Sequence, residues 1–283
     1  MLPLGIYEKA LPVAVDWHER LELARSVGFD FVELSCDESP HRQARMDWSG
    51  ADRGQLRDAI AKSGVPLLTM CLSAHRSLAL GSANERTRRD GLDLLRKAIA
   101  FSVDLGIRII QIAGYYDYYG TVDEGAQRRY QDALAEALAW ASEAGVMLGV
   151  ETMEGEDVVD SIRGAMELVG HLNSPWFQIY PDIGNIAAQG YDLPDELRRG
   201  HGHIIGIHVK DSRPGEPRRV PFGEGVVPFA AAFRTLAELN YSGPILIEMW
   251  NDNRPDSMDL IAAARRWVVD KMVEGGLIDV ATL

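Results

Sequence analysis

Short apolar segments and longer amphipathic segments alternate along the whole chain. Each apolar segment is a few residues long, is rich in Ile, Val, Leu or aromatic residues, and lacks strict alternation with polar residues, which is typical of strands covered on both faces. The eight predicted strands are Leu2–Tyr7, Phe29–Cys36, Leu67–Ser73, Arg108–Ala113, Met147–Thr152, Phe177–Tyr180, Ile204–Val209 and Ile245–Met249.

The segments between these strands have helical periodicity. Residues 16–28, 89–106 and 129–145 each carry an apolar stripe and end in glycine, as expected just past the C terminus of a helix. Residues 228–243 and 257–276 predict the last two helices. We predict eight strand–helix units with no hairpin, linker or low-complexity segment between them.

This alternation predicts the fold class. Strict strand–helix repetition indicates a parallel sheet, and eight units in about 250 residues match the usual size of a (β/α)₈ TIM barrel. An open doubly wound sheet is the alternative, but it usually carries a glycine-rich dinucleotide fingerprint after the first strand, and none follows Leu2–Tyr7. We therefore expect a single TIM-barrel domain over residues 1–283.

Polar side chains occur at the ends of the last four predicted strands: Glu151, Asp182, His208 and Glu248. Barrel strands deliver their C-terminal ends to one mouth, so these groups should meet there. Each alone could be an ion-pair partner, a helix cap or a structural histidine. Three converging carboxylates, however, would repel one another without a cation. Carboxylates with an imidazole suit Mn²⁺, Zn²⁺ or Co²⁺, and the pattern predicts a site for one divalent metal ion.

Two of these groups, Glu151 and Glu248, are predicted to lie opposite one another across the mouth. Carboxylates over both faces of a bound sugar could remove a proton from one side of a carbon and return one to the other. The metal would stabilise the intervening enediolate. The expected outcome is inversion of configuration beside a carbonyl. An aldose–ketose isomerase or a dehydrating lyase could use the same site.

Other polar and aromatic residues near the strand ends are candidates for binding a substrate. Lys210 lies two residues beyond His208 and should point the same way by the period of a strand. A phosphorylated substrate would need such a local cation, although ion pairing within the protein explains each basic residue equally well. The substrate-binding candidates are Tyr7, His75, Arg76, Asn185, Lys210 and Trp250, with Lys9, Arg213 and the glycine-rich residues 222–225 as further groups for a phosphate.

Composition narrows the classes of partner. The 283 residues include 29 basic and 42 acidic ones, for a net charge of −13. An acidic chain repels phosphodiester backbones, so we expect no nucleic-acid partner, and a metal-dependent endonuclease is disfavoured. No apolar run approaches the roughly 20 residues of a membrane span, so we expect no membrane partner and a cytoplasmic location. Cys36 and Cys71 are predicted to be buried thiols rather than a disulfide.

Several longer motifs resemble the bacterial L-ribulose-5-phosphate 3-epimerases of ascorbate degradation, which belong to the xylose-isomerase-like barrel superfamily. "GIYEKALP" and "CLSAHR" are specific to that group, whereas the Glu/Asp/His/Glu set is shared by the whole superfamily. The matching stretches cover nearly the whole chain and are "PLGIYEKALP", "GFDFVELS", "MCLSAHR", "GIRIIQIAGY", "NSPWFQIYPDIGN", "HVKD", "VPFGEGVV" and "ILIEMW".

The resemblance implies a reaction and roles for particular residues. Glu151, Asp182, His208 and Glu248 would bind the metal, and the two glutamates would act as acid and base at C3 of a ketopentose 5-phosphate. The implied reaction interconverts L-xylulose 5-phosphate and L-ribulose 5-phosphate. Free-ketose 3-epimerases of the superfamily have a histidine where this chain has Asn185, which weakens that alternative. A non-catalytic sugar-binding barrel also stays open, and the resemblance suggests a homodimer.

Overall fold

The computed structural model describes residues 2–251 and 254–279. The ends of the predicted 1–283 domain, Met1 and residues 280–283, lie outside the described residues. The strands are β1 (Leu4–Tyr7), β2 (Phe31–Ser35), β3 (Leu67–Leu72), β4 (Ile109–Ala113), β5 (Met147–Glu151), β6 (Phe177–Ile179), β7 (Ile207–Val209), β8 (Asp211–Arg213), β9 (Glu216–Val220) and β10 (Ile245–Ile247).

Eight of these strands form one parallel sheet in the order β6-β5-β4-β3-β2-β1-β10-β7. The two end strands, β6 and β7, are joined by parallel bridges between Ile179 and Ile204 and between Asp182 and His208, which close the sheet into a barrel. Each predicted apolar segment contains one of the eight strands. The TIM-barrel prediction is therefore confirmed.

The helices surround this barrel, and their ends follow the glycine signals in the sequence. Helices α1, α4 and α5 end at Gly28, Gly106 and Gly145, whose φ angles are 96°, 76° and 68°; this left-handed region favours glycine. The α-helices of the described residues are α1 (Trp17–Val27), α2 (Pro40–Gln43), α3 (Gly50–Ser63), α4 (Glu85–Leu105), α5 (Ala126–Ala144), α6 (Ile162–Leu172), α7 (Ile183–Ala188), α8 (Leu193–Arg199), α9 (Phe229–Glu238) and α10 (Ser257–Glu274).

The main apolar core lies between the barrel and the helices. Ile110 and Val150 on the strands pack in the same fully buried cluster as Leu95 and Leu134 on the helices, and burial of such side chains drives the two layers together. Cys36 and Cys71 are buried free thiols, as predicted. Among the described helices, none has the length and apolar character needed to cross a membrane.

A β-hairpin interrupts the strand–helix alternation, and the prediction of a chain without hairpins is wrong. Strands β8 and β9 pair antiparallel, and Gly215 in the turn between them has a φ of 78°. Three of the five residues of β9 are charged and none of the five is buried, so the strand lacks the apolar signature by which the barrel strands are recognised. Because β8 directly follows Lys210, the hairpin begins at the C-terminal mouth of the barrel.

Candidate metal centre

The four predicted metal ligands meet at this mouth. Glu151, Asp182, His208 and Glu248 each offer one ligand atom, and these atoms all lie within 4.8 Å of one another. All four side chains are buried. Glu151 ends β5, His208 lies in β7, and the other two residues follow β6 and β10. The expected convergence of the strand ends is present, and metal binding by these residues stays a prediction.

Asp182 is held by backbone groups on one side only. Its Oδ1 accepts hydrogen bonds from the amides of Gly184 (2.7 Å) and Asn185 (3.1 Å) at the N terminus of α7. Its Oδ2 accepts no hydrogen bond and forms an ion pair with Lys210 Nζ at 2.6 Å. One oxygen is therefore fixed by the helix, and the other keeps a lone pair for a cation.

Lys210 lies inside the cluster rather than at its rim. Its Nζ donates a 2.9 Å hydrogen bond to Glu248 Oε2. Burial lowers the pKa of Lys210, but the charges of Asp182 and Glu248 outweigh it and raise this pKa. Burial raises the pKa of Glu248, but Lys210 and His208 outweigh it and lower this pKa. For Asp182, burial and the neighbouring carboxylates prevail over Lys210, and the pKa is raised.

The charges in this space suit a divalent cation. Four buried carboxylates, those of Glu33, Glu151, Asp182 and Glu248, surround two buried basic groups, Lys210 and His208. Carboxylates stay in excess even when both basic groups are protonated. An uncompensated buried carboxylate is costly, and a set of carboxylates with one imidazole suits Mn²⁺ or Zn²⁺. The residues present therefore fit a divalent metal ion.

Glu151 and Glu248 border the same mouth, but their strands are not diametrically opposed. In the closed ring, β6 and β7 lie between β5 and β10, so the two strands are three positions apart out of eight. The prediction that they lie opposite one another is wrong to that extent: the ring follows the order of the chain, and the fifth and eighth of eight strands are three positions apart rather than four. Glu151 is further held by Gln111, whose Nε2 donates to its Oε2.

Two predicted substrate contacts, Lys210 and Trp250, line one cavity, and a third, Tyr7, packs against Trp250. A cavity of about 340 Å³ is lined by Lys210, Glu248 and Trp250. The Trp250 ring packs edge to face on Tyr7, with the centroids 6.5 Å apart. Asn185 lies deeper and is fully buried; its Nδ2 donates a hydrogen bond to the backbone while its Oδ1 has no partner. Their contact with substrate stays a prediction.

His75 and Arg76 follow β3 but contact different partners. His75 Nε2 lies 3.2 Å from the carbonyl oxygen of Gly91 in α4, and burial lowers the pKa of His75 to about 4. The guanidinium of Arg76 lies over the rings of Tyr115 and Tyr118, 5.7 and 5.4 Å from their centroids. His75 thus packs against α4, whereas Arg76 contacts Tyr115 and Tyr118 in the segment that follows β4. Substrate binding by either residue stays a prediction.

The glycine-rich loop of residues 222–225 binds a carboxylate of the same chain, that of Asp211. The amides of Gly223 and Gly225 both donate 2.9 Å hydrogen bonds to Oδ2 of Asp211. The interpretation of this loop as a phosphate cradle is therefore not supported. Of the other phosphate candidates, Lys9 pairs with Asp37 at 2.6 Å, and Arg213 donates a 2.9 Å hydrogen bond to the carbonyl oxygen of Glu224.

Sequence reasoning missed Glu33, Gln111 and Arg218. Glu33 and Gln111 lie in the middle of β2 and β4 and are fully buried, whereas the predicted ligands lie at or near the ends of their strands. A carboxylate inside an apolar strand is itself a signal, because it needs buried partners. Arg218 lies in the unpredicted hairpin and donates to Glu154 Oε1 at 3.3 Å.

Sequence comparison finds close relatives over the full length. The model of the xylose isomerase-like TIM barrel family matches residues 21–271. L-ribulose-5-phosphate 3-epimerase UlaE of Escherichia coli O157:H7 (strain EC4115 / EHEC) is 49% identical over 280 residues, covering 99% of this chain and 98% of that protein. The protein of the same name in Escherichia fergusonii is 48% identical over 280 residues, with the same coverage.

Solved structures share the fold at lower sequence identity. An L-ribulose 3-epimerase superimposes with a TM-score of 0.82 at 19% identity, covering 98% of this chain and 96% of that chain. D-psicose 3-epimerase from Clostridium cellulolyticum H10, solved with D-tagatose, gives 0.80 at 16% identity, covering 96% and 99%. The family match and the full-length identity together show that this chain is an epimerase of the L-ribulose-5-phosphate 3-epimerase family, within the xylose isomerase-like TIM barrels.

Proposed function

We propose that this enzyme is a divalent-metal-dependent 3-epimerase that interconverts L-xylulose 5-phosphate and L-ribulose 5-phosphate. The observation that carries the proposal is the buried cluster of Glu151, Asp182, His208 and Glu248, with ligand atoms within 4.8 Å of one another. The relatives that are 48–49% identical over 99% of the chain carry the name of this activity, which supports the choice of substrate.

In the proposed reaction, Glu151 and Glu248 exchange the proton at C3. One glutamate, as a carboxylate, removes this proton, and the C3–H electrons move toward the C2 carbonyl. The other glutamate, protonated at the start, delivers its proton to the opposite face of C3 as the electrons return. The C3–H bond is thereby re-formed with inverted configuration. A divalent ion, when bound, supplies positive charge that stabilises the negative charge developing on the C2 oxygen. Lys210 and His208 lower the pKa of Glu248, which favours the carboxylate form in which it acts as the base.

Cations at the mouth could hold the 5-phosphate of such a substrate. A second cavity, of about 430 Å³, is lined by Arg218, Tyr118 and Glu154. It shares Arg219, Val220 and Pro221 with the cavity beside Glu248. Arg76 lies over Tyr118. Guanidinium groups bind phosphate oxygens through charge-assisted hydrogen bonds, so we assign the phosphate to the side of the mouth formed by the hairpin.

The proposed reaction predicts a specific isotope pattern. The purified protein, loaded with Mn²⁺ or Zn²⁺, is incubated with L-ribulose 5-phosphate in D₂O and followed by ¹H and ¹³C NMR. We expect L-xylulose 5-phosphate to accumulate with deuterium at C3. Absence of both a second ketose and C3 deuterium, in protein shown by elemental analysis to contain the ion, would refute the epimerase assignment.

The same experiment separates the alternatives. Formation of an aldose would indicate an isomerase, and loss of water would indicate a lyase. Turnover of L-ribulose that equals turnover of its 5-phosphate would favour a free-ketose 3-epimerase. Substrate binding without turnover or exchange would indicate a sugar-binding barrel. The homodimer rests on the resemblance alone and stays a prediction, which size-exclusion chromatography with light scattering would check.

A further inference from the structure

Glu33 is a fully buried carboxylate to which the proposed reaction gives no role. It lies in the middle of β2 and is 0% exposed. Its Oε2 accepts hydrogen bonds from Thr69 Oγ1 (2.7 Å) and Tyr180 Oη (3.1 Å). Its Oε1 lies 2.9 Å from Nε2 of His208. Each oxygen thus has a buried partner, and the orientation of the carboxylate is fixed.

The ring of His208 lies between two carboxylates. Nε2 faces Glu33, and Nδ1 lies 2.8 Å from Glu151 Oε1 on the side of the proposed metal ligands. The edge of Tyr180 packs against the same ring, with the centroids 4.9 Å apart and the planes at 74°. A carboxylate can only accept, so both ring nitrogens, which each face a carboxylate, carry a proton in this structure. Nδ1 is the nitrogen on the side of the other candidate ligands, where a metal ion would take the place of its proton, whereas Nε2 would keep its proton toward Glu33.

The backbone makes room for this arrangement. A Cβ atom at Gly206 would lie 2.3 Å from the ring of Tyr180, so this position needs glycine. Tyr180 can therefore enter the barrel interior and bind Glu33. Residues on β3 and β7, together with Tyr180 directly after β6, converge on the carboxylate of Glu33. Partners from three other segments of the barrel therefore fix its orientation.

We infer that Glu33 is a positioning residue for the metal centre: by accepting the Nε2–H of His208 it holds the ring with Nδ1 toward Glu151, Asp182 and Glu248. The inference rests on the metal centre of the proposed function and not on the identity of the sugar. Partners that orient a ligating histidine in this way typically change metal affinity by about 10- to 100-fold when they are replaced.

Metal affinity provides the first test. Protein stripped of metal is titrated with Zn²⁺, and separately with Mn²⁺, in competition with a fluorescent chelator. We expect Glu33→Leu to weaken affinity about 10- to 100-fold. Glu33→Gln should lose less, because its amide oxygen can still accept from Nε2. The matched control is Glu196→Gln, a buried glutamate that accepts from the Arg163 amide in the helical layer, and its affinity should equal that of the wild type.

The second test uses the wild-type protein and does not depend on folding of a variant. Long-range ¹H–¹⁵N correlation spectra of the zinc-loaded protein report which nitrogen of His208 carries a proton. We expect a protonated Nε2 and a zinc-bound Nδ1. Zinc bound through Nε2, or a Glu33→Leu protein that binds metal as tightly as the wild type, would overturn this inference alone. A wild-type protein that binds neither ion would overturn the proposed metal centre as well.

Discussion

The ammonium of Lys210 donates a 2.9 Å hydrogen bond to Oε2 of Glu248 in the interior of the mouth. The same Nζ lies 2.6 Å from Oδ2 of Asp182, and all three side chains are buried. Removal of one member of such a buried pair leaves an uncompensated charge, which typically costs about 3–5 kcal/mol. Lys210 thus provides a permanent positive charge beside two candidate metal ligands.

Replacement of Lys210 should lower the stability mainly of the metal-free protein. We predict that Lys210→Met lowers its free energy of unfolding by about 3–5 kcal/mol, and that saturating Mn²⁺ or Zn²⁺ restores a large part, because the ion replaces the missing charge. Urea unfolding with and without the ion measures both effects. The control is Lys97→Met, which removes a 40% exposed side chain paired with Asp47 and Asp93 and should cost at most about 1 kcal/mol. Equal losses with and without the ion would contradict the prediction.

Replacement of Glu151 and replacement of Glu248 should each abolish proton transfer on one face of C3, a different face in each variant. We predict that Glu151→Gln and Glu248→Gln each lower the rate of epimerisation about 10²- to 10⁴-fold, because each removes one of the two proton-transferring groups. The surviving carboxylate should still exchange the C3 proton of one epimer, a different epimer in each variant. NMR of deuterium wash-out from each C3-deuterated ketose measures this.

Both glutamates are also candidate ligands, so metal content must be measured in the same samples. A variant that contains the ion and still epimerises at more than a tenth of the wild-type rate would show that its glutamate is not one of the two bases. Loss of exchange from both epimers in an ion-containing variant would instead point to a single-base mechanism.

Arg218 should discriminate between phosphorylated and free substrates. It lines the cavity of about 430 Å³ at the mouth, and hydrogen bonds to charged groups contribute about 1.5–3 kcal/mol. We predict that Arg218→Met raises the KM for L-ribulose 5-phosphate about 10- to 100-fold and leaves turnover of L-ribulose unchanged. Inorganic phosphate should also inhibit this variant more weakly.

The matched control for this prediction is Arg213→Met. Arg213 lines the same cavity, but its guanidinium donates to the carbonyl oxygen of Glu224 and pairs with the carboxylates of Glu216 and Glu224. Its replacement should change KM little. An equal change in both variants would indicate a general electrostatic effect rather than a phosphate contact of Arg218.

His75 should make stability depend on pH. Burial lowers its pKa from 6.5 to about 4, so the unfolded chain takes up a proton as the pH falls through 6.5 while the folded protein does not. Unfolding is therefore favoured progressively between pH 6.5 and 4, by up to about 3 kcal/mol, and the effect is constant below pH 4. His75→Gln should remove this component.

Urea unfolding of both proteins between pH 7.5 and 4 tests the prediction, since the difference between them isolates His75 from other groups. His171→Gln, at an exposed position, should run parallel to the wild type. If the wild-type protein loses no more stability than His75→Gln on acidification, the pKa of His75 is not lowered in the folded protein.

The order of the barrel elements follows from local patterns. Strands that are covered on both faces appear in the sequence as short apolar runs. Glycines in the left-handed conformation end the helices α1, α4 and α5. Both signals depend only on residues that are neighbours in the sequence. The four strand-end groups could be found in the same way, because parallel barrel strands deliver all their C termini to one mouth. These features needed no knowledge of contacts between distant residues.

Only the tertiary structure decided how polar groups pair. Glu33 and His208 are 175 residues apart, and no local pattern joins them. The contact of Asp211 with the amides of Gly223 and Gly225 depends on how the loop after the hairpin folds back. The entry of Lys210 between two carboxylates depends on how neighbouring strand ends pack at the mouth. Hydrophobic periodicity records which side of an element is buried, but it does not record what a buried polar atom touches, and that choice is made by packing in three dimensions.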